Sequence, residues 1–298
     1  MSARFLVVGD VLLDVVVRSF TPVAFGSDAP SRIRLHGGGS AANTAAWLAA
    51  GGGAVTFISR VGDDEPAKLQ RAELEALGVE CVFAVDEDEP TGMCCVIVTP
   101  GAERTMFPSV GASGLLQAGD VADERIRDAD HVHVSGYALL HPGSRHGAIS
   151  VLERAREAGI PSSIDANSAA PIQSVGTATV REWLALTSLV FANADEACLL
   201  AGTADPVAAA VELAGVSGQA VVKLGVDGVV SVARGGEPVR ASAPRVEALD
   251  TTGAGDAFCA GFLLARVAGE EPSAALGRGA EVAGRCVVRS GARPPAPA

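Results

Sequence analysis

Apolar residues recur along this chain at two spacings. Short runs rich in Val, Leu, Ile and Phe fall at 5–9, 54–60, 79–85, 91–99, 131–134, 160–165, 189–192, 220–225 and 229–232. Runs of that length, bounded by Gly, Asp or Asn, predict strands. Residues 11–17 continue extended, 31–36 alternate like a polar strand, and 246–249 read as the end of another short strand. Helical spacing takes over at 43–50, 67–77, 145–159 and 272–287. It returns after Asp256, where Phe258, Phe262, Leu263, Leu264 and Val267 recur. Gly78 closes the 67–77 helix as a C-cap, and 225–228 turns one strand back on the next. Pro90 to Gly92 and Gly101 to Thr105 mark the ends of a further hairpin, and the acidic residues 86–89 form a solvated turn.

Strands alternating with helices predict an α/β fold: a doubly wound, mostly parallel sheet flanked by helices, with ligands at the strands' C-terminal ends. Gly9, Asn193, Gly225 and Asp250 fall at such ends. No internal repeat or linker interrupts the pattern, so 1–298 reads as one domain.

Composition narrows the chemistry. A 48% hydrophobic content in 298 residues supports a sizeable core, although only 4% of residues are aromatic. A net charge of −12 argues against nucleic acid or an anionic membrane as partner. Lys68 and Lys223 are the only lysines; no Gly-Lys-Ser/Thr exists, which excludes a Walker phosphate loop. No His-Arg-Asp or Asp-Phe-Gly suggests a protein kinase. The six cysteines form no Cys-x-x-Cys and read as buried thiols of a reducing, cytoplasmic setting. The N-terminus enters a strand without signal-peptide architecture, no apolar run reaches a bilayer's span, and 293–298 reads as a loose Pro-rich tail.

The stretch with most chemistry is Asp250-Thr251-Thr252-Gly253-Ala254-Gly255-Asp256. Small residues entering a helix let backbone amides converge where the helix dipole is positive, which attracts anions. Asp256 sets a carboxylate beside that hole, either as a base or as a helix cap. Asp14 is the one charge in an apolar run and needs a partner or ligand. Gly37-Gly38-Gly39 allows close backbone approach, and Asn43 follows in the first helical turn. Asn193 and Glu196 share one helix face, suited either to a hydrated Mg²⁺ or to a capping box. Lys223 leaves an apolar strand toward Gly225 and Gly228, where it meets nucleotide phosphates or merely extends to water. His131 and His133 share a strand face with no third metal ligand nearby.

Asp250 to Phe258 resembles the C-terminal signature of the ribokinase and phosphofructokinase B (PfkB) family of sugar and nucleoside kinases. The Gly38-to-Asn43 spacing resembles its N-terminal signature, and Asn193-x-x-Glu196 its metal and phosphate motif. The resemblance covers essentially the whole chain. It implies a ribokinase-like fold with a small β lid from about 11–17, 31–37 and 91–108, whose edges let two copies pair as a homodimer. It implies Asp256 as base and the amides of Gly253, Ala254 and Gly255 as anion hole. It places substrate hydroxyls at Asp14, Gly38, Gly39 and Asn43, and MgATP near Asn193, Glu196, Lys223, Gly225 and Gly228. Some members are activated by K⁺, for which Asp250, the Thr252 carbonyl and the loop Arg289 to Gly291 are the corresponding groups. The expected activity is ATP-dependent phosphorylation of a small sugar, a sugar acid included. Leu12, Ser40 and Tyr137 stand where ribokinase itself has Asn, Lys and Glu, so strict ribose specificity is not implied. Tyr137 would then line the substrate site, and Arg104 would receive a carboxylate or phosphate or form a surface ion pair. A nucleoside kinase is the alternative enzyme, and a non-catalytic sugar or nucleotide sensor the alternative outside enzymes.

Overall fold

Phe5, Leu6, Val7 and Val8 are all buried, as only an interior strand of a parallel sheet allows. In the computed structural model, which describes residues 2–23, 26–101 and 103–296, that strand is the hinge of the topology. The first part of the chain runs β1 (Arg4–Val8), β2 (Leu12–Ser19), β3 (Ser31–Gly38), α1 (Ser40–Ala50), β4 (Ala54–Gly62), α2 (Glu65–Ala76), β5 (Val79–Asp86), β6 (Thr91–Val98) and β7 (Arg104–Gly111). The middle runs α3 (Asp123–Arg127), β8 (His131–Ser135), α4 (Gly136–Leu140), α5 (Arg145–Glu157), β9 (Ser162–Asp165), α6 (Ala169–Val175), α7 (Thr177–Leu184) and β10 (Leu189–Asn193). The last part runs α8 (Ala194–Ala201), α9 (Pro206–Ser217), β11 (Gln219–Lys223), β12 (Val229–Ala233), β13 (Val239–Ala241), α10 (Ala254–Val267) and α11 (Pro272–Val287).

Nine strands form the main sheet in the order β13-β12-β11-β10-β9-β8-β1-β4-β5, antiparallel only at β12 and β13. The strand order reverses at β1, flanked by β4 and β8. Ligand crevices form at such switch points. Two buried apolar clusters lie on opposite faces of the sheet. One packs α5, α7 and α9 against it, the other α1, α10 and α11. A second sheet, ordered β3-β2-β6-β7, stands apart from the first.

Two expectations fail. Residues 246–249 form no strand, and Leu249 is 62% exposed. The amides of Leu249 and Asp250 donate instead to the carbonyl of Val287, at the end of α11. Asp250 therefore follows a loop pinned to a helix end, not a strand end. The tail from Arg293 is not loose either: Ala292, Arg293 and Pro294 are buried, although 297–298 lie outside the described residues. Pro-rich composition signals missing secondary structure, and burial is decided by the Arg293 contacts described below.

Candidate active site

The site assembles where β1 ends. Gly9 has φ 151°, and a Cβ there would come within 2.7 Å of Ser135 Cβ and 2.8 Å of Ala41 Cβ. That closeness seats the start of α1 on the ends of β1 and β8. Asp10 accepts from the amides of Ser40, at 2.7 Å, and Ala41, at 3.3 Å, and so satisfies the N-terminus of α1. α1 then directs two side chains at one carboxylate. Ser40 Oγ donates to Asp256 Oδ1 at 2.7 Å, and Asn43 Nδ2 donates to Oδ2 at 2.9 Å. Asn167, the one described non-glycine residue with positive φ, donates to Ser40 Oγ at 2.8 Å.

Asp256 lies in the first turn of α10 and is buried. Burial lifts its pKa to about 7, against the hydrogen bonds from Asn43 and Ser40 that favour the charged form. A carboxyl poised near neutrality is suited to accept a proton from an alcohol. Gly253 precedes it at φ 76°, and a Cβ there would sit 2.6 Å from Ala292 Cβ, so only glycine makes this turn. The first-turn amides of α10 point out of the helix. The Ala254 amide also contacts Thr251 O, at 3.3 Å.

Lys223, at the end of β11, completes the cluster. Its Nζ lies 2.7 Å from Asp165 Oδ2 and 3.1 Å from the place a Cβ on Gly255 would occupy. The amide cradle thus already contains an ammonium. Burial alone would lower the Lys223 pKa, but Asp165, with Cys259 and Glu196, holds the proton and raises it well above the usual range.

Residues 3–298 match the pfkB family carbohydrate kinase profile. The chain belongs to the pfkB family of carbohydrate kinases. An ATP-dependent ribose-1-phosphate kinase of Halopiger xanaduensis is 33% identical over 87% of this chain and 83% of its own length. Adenosine kinase from Sinorhizobium meliloti superposes with a TM-score of 0.89 at 26% identity, covering 99% of this chain and 96% of that one. Arabidopsis thaliana ribokinase, solved with ribose and ATP, gives 0.83 at 26% identity over 98% and 95%. The fold is therefore ribokinase-like and the protein is a sugar kinase, a phosphotransferase.

The remaining predicted residues of this kinase fall into three groups. Asp14, Gly38 and Gly39 adjoin the Asp256 centre. Asp14 is 9% exposed, and a Cβ on Gly38 would meet its Oδ1 at 2.3 Å. Burial raises the Asp14 pKa to about 6, with Arg293 opposing and Asp10 reinforcing. Gly39, at φ 90°, lies against Asp10 O. Tyr137 is 40% exposed, and its amide donates to Asn167 Oδ1 at 3.2 Å.

Asn193 and Glu196 form a capping box on α8: Asn193 Oδ1 accepts from the Glu196 amide, and Glu196 Oε2 from the Asn193 amide, both at 2.9 Å. Gly225 and Gly228 make the β11–β12 turn, where a Cβ on Gly228 would strike Ala241 O at 2.2 Å.

The K⁺ set folds as an ion pair. Arg104, on β7, meets Asp250 Oδ1 at 2.9 Å and Thr252 Oγ1 at 2.8 Å. Asp250 also accepts from the amides of Thr252 and Gly291, and Arg289 Nε is buried without a partner. Arg104 is thus a clasp between the second sheet and the Asp250 loop, the ion-pair reading of this residue. His131 and His133 share Ser163 Oγ, at 2.8 and 2.9 Å, and burial drops their pKa values to about 3 and 4. Among the described residues no group of three or more metal-binding side chains exists.

Three residues, Asp165, Asn167 and Arg293, were not singled out in the sequence, and Ser40 was read only as standing where ribokinase has Lys. Ser40 and Asn167 orient Asp256, and Asp165 holds Lys223. Arg293 donates to Gly38 O at 2.8 Å, Gln70 Oε1 at 2.7 Å and Asn43 Oδ1 at 3.3 Å, and pairs with Glu73 at 3.1 Å. Asp165 and Asn167 lie at the C-terminal end of the strand predicted at 160–165, where ligands gather, and that position was the signal for them; Arg293 gave none.

Proposed function

We propose that this kinase moves the γ-phosphoryl group of ATP to a hydroxyl of a small sugar, with Asp256 as general base. The carrying observation is Asp256 itself: buried, oriented by Ser40 and Asn43, raised to about pKa 7, and in the same first helical turn as the amide cradle. The sugar hydroxyl gives its proton to Asp256 as its oxygen bonds to the γ-phosphorus, and ADP leaves with the bridging oxygen. The amides of Gly253, Ala254 and Gly255 and the Lys223 ammonium stabilise the charge on the transferred group. Asp14, Asn43 and the Gly38-Gly39 backbone hold sugar hydroxyls, with Tyr137 at the rim. The nucleotide lies along Asn193, Glu196 and the Gly225-to-Gly228 turn.

Mg²⁺ fits this donor set. Asp165 keeps one buried oxygen, Oδ1, without a partner, and Glu196 lies close enough to couple with it electrostatically. Oxygen donors without a preformed cage suit an ion that retains most of its waters. When bound, Mg²⁺ neutralises phosphate charge. K⁺ does not fit, because the Arg104 guanidinium already neutralises Asp250.

The test is ADP release from MgATP against pentoses, hexoses, sugar acids and nucleosides, in KCl and in NaCl. Turnover on one compound, equal in both salts, is the expected result. A nucleoside as the sole acceptor would instead favour the second reading, a nucleoside kinase, to which the half-exposed Tyr137 ring and the adenosine kinase likeness lend support. Ligand binding with no turnover on any acceptor would favour a sensor.

The outer face of the lid suits a homodimer. Ile33, Leu35 and Phe107 are 63%, 56% and 57% exposed there, and the outer edges of β3 and β7 have no partner strand among the described residues. A second copy offers the matching apolar face.

A further inference from the structure

Between lid and body lies a cavity of about 310 Å³ whose charge runs opposite to that of the chain. The inner face of the lid contributes three cross-strand rows. His36 and Asp14 face each other in the first, Arg34 and Val16 in the second, and Arg32 and Arg18 in the third. Val98 and Arg104 extend the third row across β6 and β7. From the Asp14 row to the Arg18 row is four residues, roughly 13 Å of strand. Along that distance the wall changes from a carboxylate beside the catalytic centre to four guanidiniums. The whole chain has 35 acidic and only 23 basic residues, so this convergence is against its composition.

The arrangement is costly without an anion. Like charges directly opposite in an antiparallel pair are destabilising, and Arg18 stands directly opposite Arg32. Arg34 is the next residue of β3 on the same face. Only Arg104 is neutralised, by Asp250; among the described residues no carboxylate pairs with Arg18, Arg32 or Arg34.

We infer that the acceptor is a monosaccharide already bearing a phosphomonoester, gripped by Arg18, Arg32 and Arg34 while its free hydroxyl meets Asp256. This rests on the kinase reading above. Guanidinium forks bind phosphate in bidentate fashion, and a phosphomonoester offers three terminal oxygens and about −1.5 to −2 charge at pH 7. A carboxylate, with two oxygens and one charge, would leave the cluster undersatisfied. The transfer balances as before: the hydroxyl oxygen bonds to the γ-phosphorus, its proton passes to Asp256, and ADP departs. The products are ADP and a sugar bisphosphate.

Matched pairs test this. ADP release is measured with ribose against ribose 1- and 5-phosphate, fructose against its 1- and 6-phosphates, and with gluconate, ribonate and nucleosides. The best phosphosugar should exceed its neutral parent in kcat/KM by at least about 100-fold. Arg32→Gln with Arg34→Gln should raise its KM at least about tenfold. A neutral sugar or nucleoside used as well as any phosphosugar overturns the inference and leaves the kinase intact; preference for a sugar acid overturns the choice of phosphate. If nothing turns over, calorimetry with the same compounds and a non-hydrolysable MgATP analogue decides. Phosphosugar binding lost in the double variant upholds the anion site and sinks the catalytic reading, whereas no phosphosugar binding sinks the inference.

Discussion

Desolvation and two hydrogen bonds act on Asp256 in opposite directions, and desolvation wins. The unfolded chain loses this proton near pH 4, whereas the folded protein keeps it to about 7. The unfolded state therefore binds fewer protons across that window, and stability falls as pH rises through it, by on the order of 4 kcal/mol. Asp256→Asn removes the buried charge, although its amide then faces Asn43 Nδ2. We expect the variant to melt at least about 2 °C above the parent at pH 8, with the gap closing near pH 4, in scanning calorimetry. Turnover should drop about 10²- to 10⁴-fold. In the parent, log kcat/KM should climb with unit slope from pH 6 to 7 and then level. Below pH 6 the slope should steepen as Asp14, at about 6, also protonates; a flat profile would remove Asp256 as base. Asp256, Gly253 and Gly255 were legible because a tight turn into a helix fixes which residues can stand there. Ser40 and Asn167 were not, because their partners are 216 and 127 residues away for Ser40 alone.

Arg104 links β7 to the Asp250 loop, and that clasp is the only described ion pair joining lid strand to cradle. A closed lid keeps water from the phosphoryl group. Arg104→Ala should raise ADP release in the absence of any acceptor, relative to release with one; an unchanged ratio would show the clasp is not what excludes water. The C-terminal segment is a second strap. Arg293→Met leaves Gln70, Glu73 and Asp14 without their cation, and should cost about 3–5 kcal/mol in urea unfolding. Elements such as α11, whose burial repeats at helical spacing, and β8, buried at every position, were readable from the run of residue types along them. The 246–249 loop and the 292–294 strap were not, since each is positioned by single contacts to distant groups, Val287 O and Gln70, that leave no period.

The whole molecule is a mostly parallel sheet with a separate small sheet over it, and that small sheet carries apolar residues on both faces. Its inner face sets Arg18, Arg32 and Arg34 beside Val16, Val96 and Val98 along the pocket, and its outer face carries exposed Ile33, Leu35 and Phe107. Light scattering should therefore find a dimer, and Leu35→Glu with Phe107→Glu should return a monomer; a monomeric parent would refute the lid interface. Alternation of strands and helices made the doubly wound sheet legible, but strand pairing in the lid was not, because β2 and β6 join in parallel with paired residues, such as Leu12 and Gly92, far apart in the chain.

The contacts that complete the catalytic pocket span long stretches of chain: Asn43 meets Asp256 across 213 residues and Arg293 across 250. The β1–β4–β5 part of the sheet, by contrast, is built from strands that follow one another more closely in the chain. The base, its orienting amide and the strap behind them can therefore meet only once the whole sheet has brought the two regions together, so loss of long-range order should disperse the centre before it melts the local strand pairs.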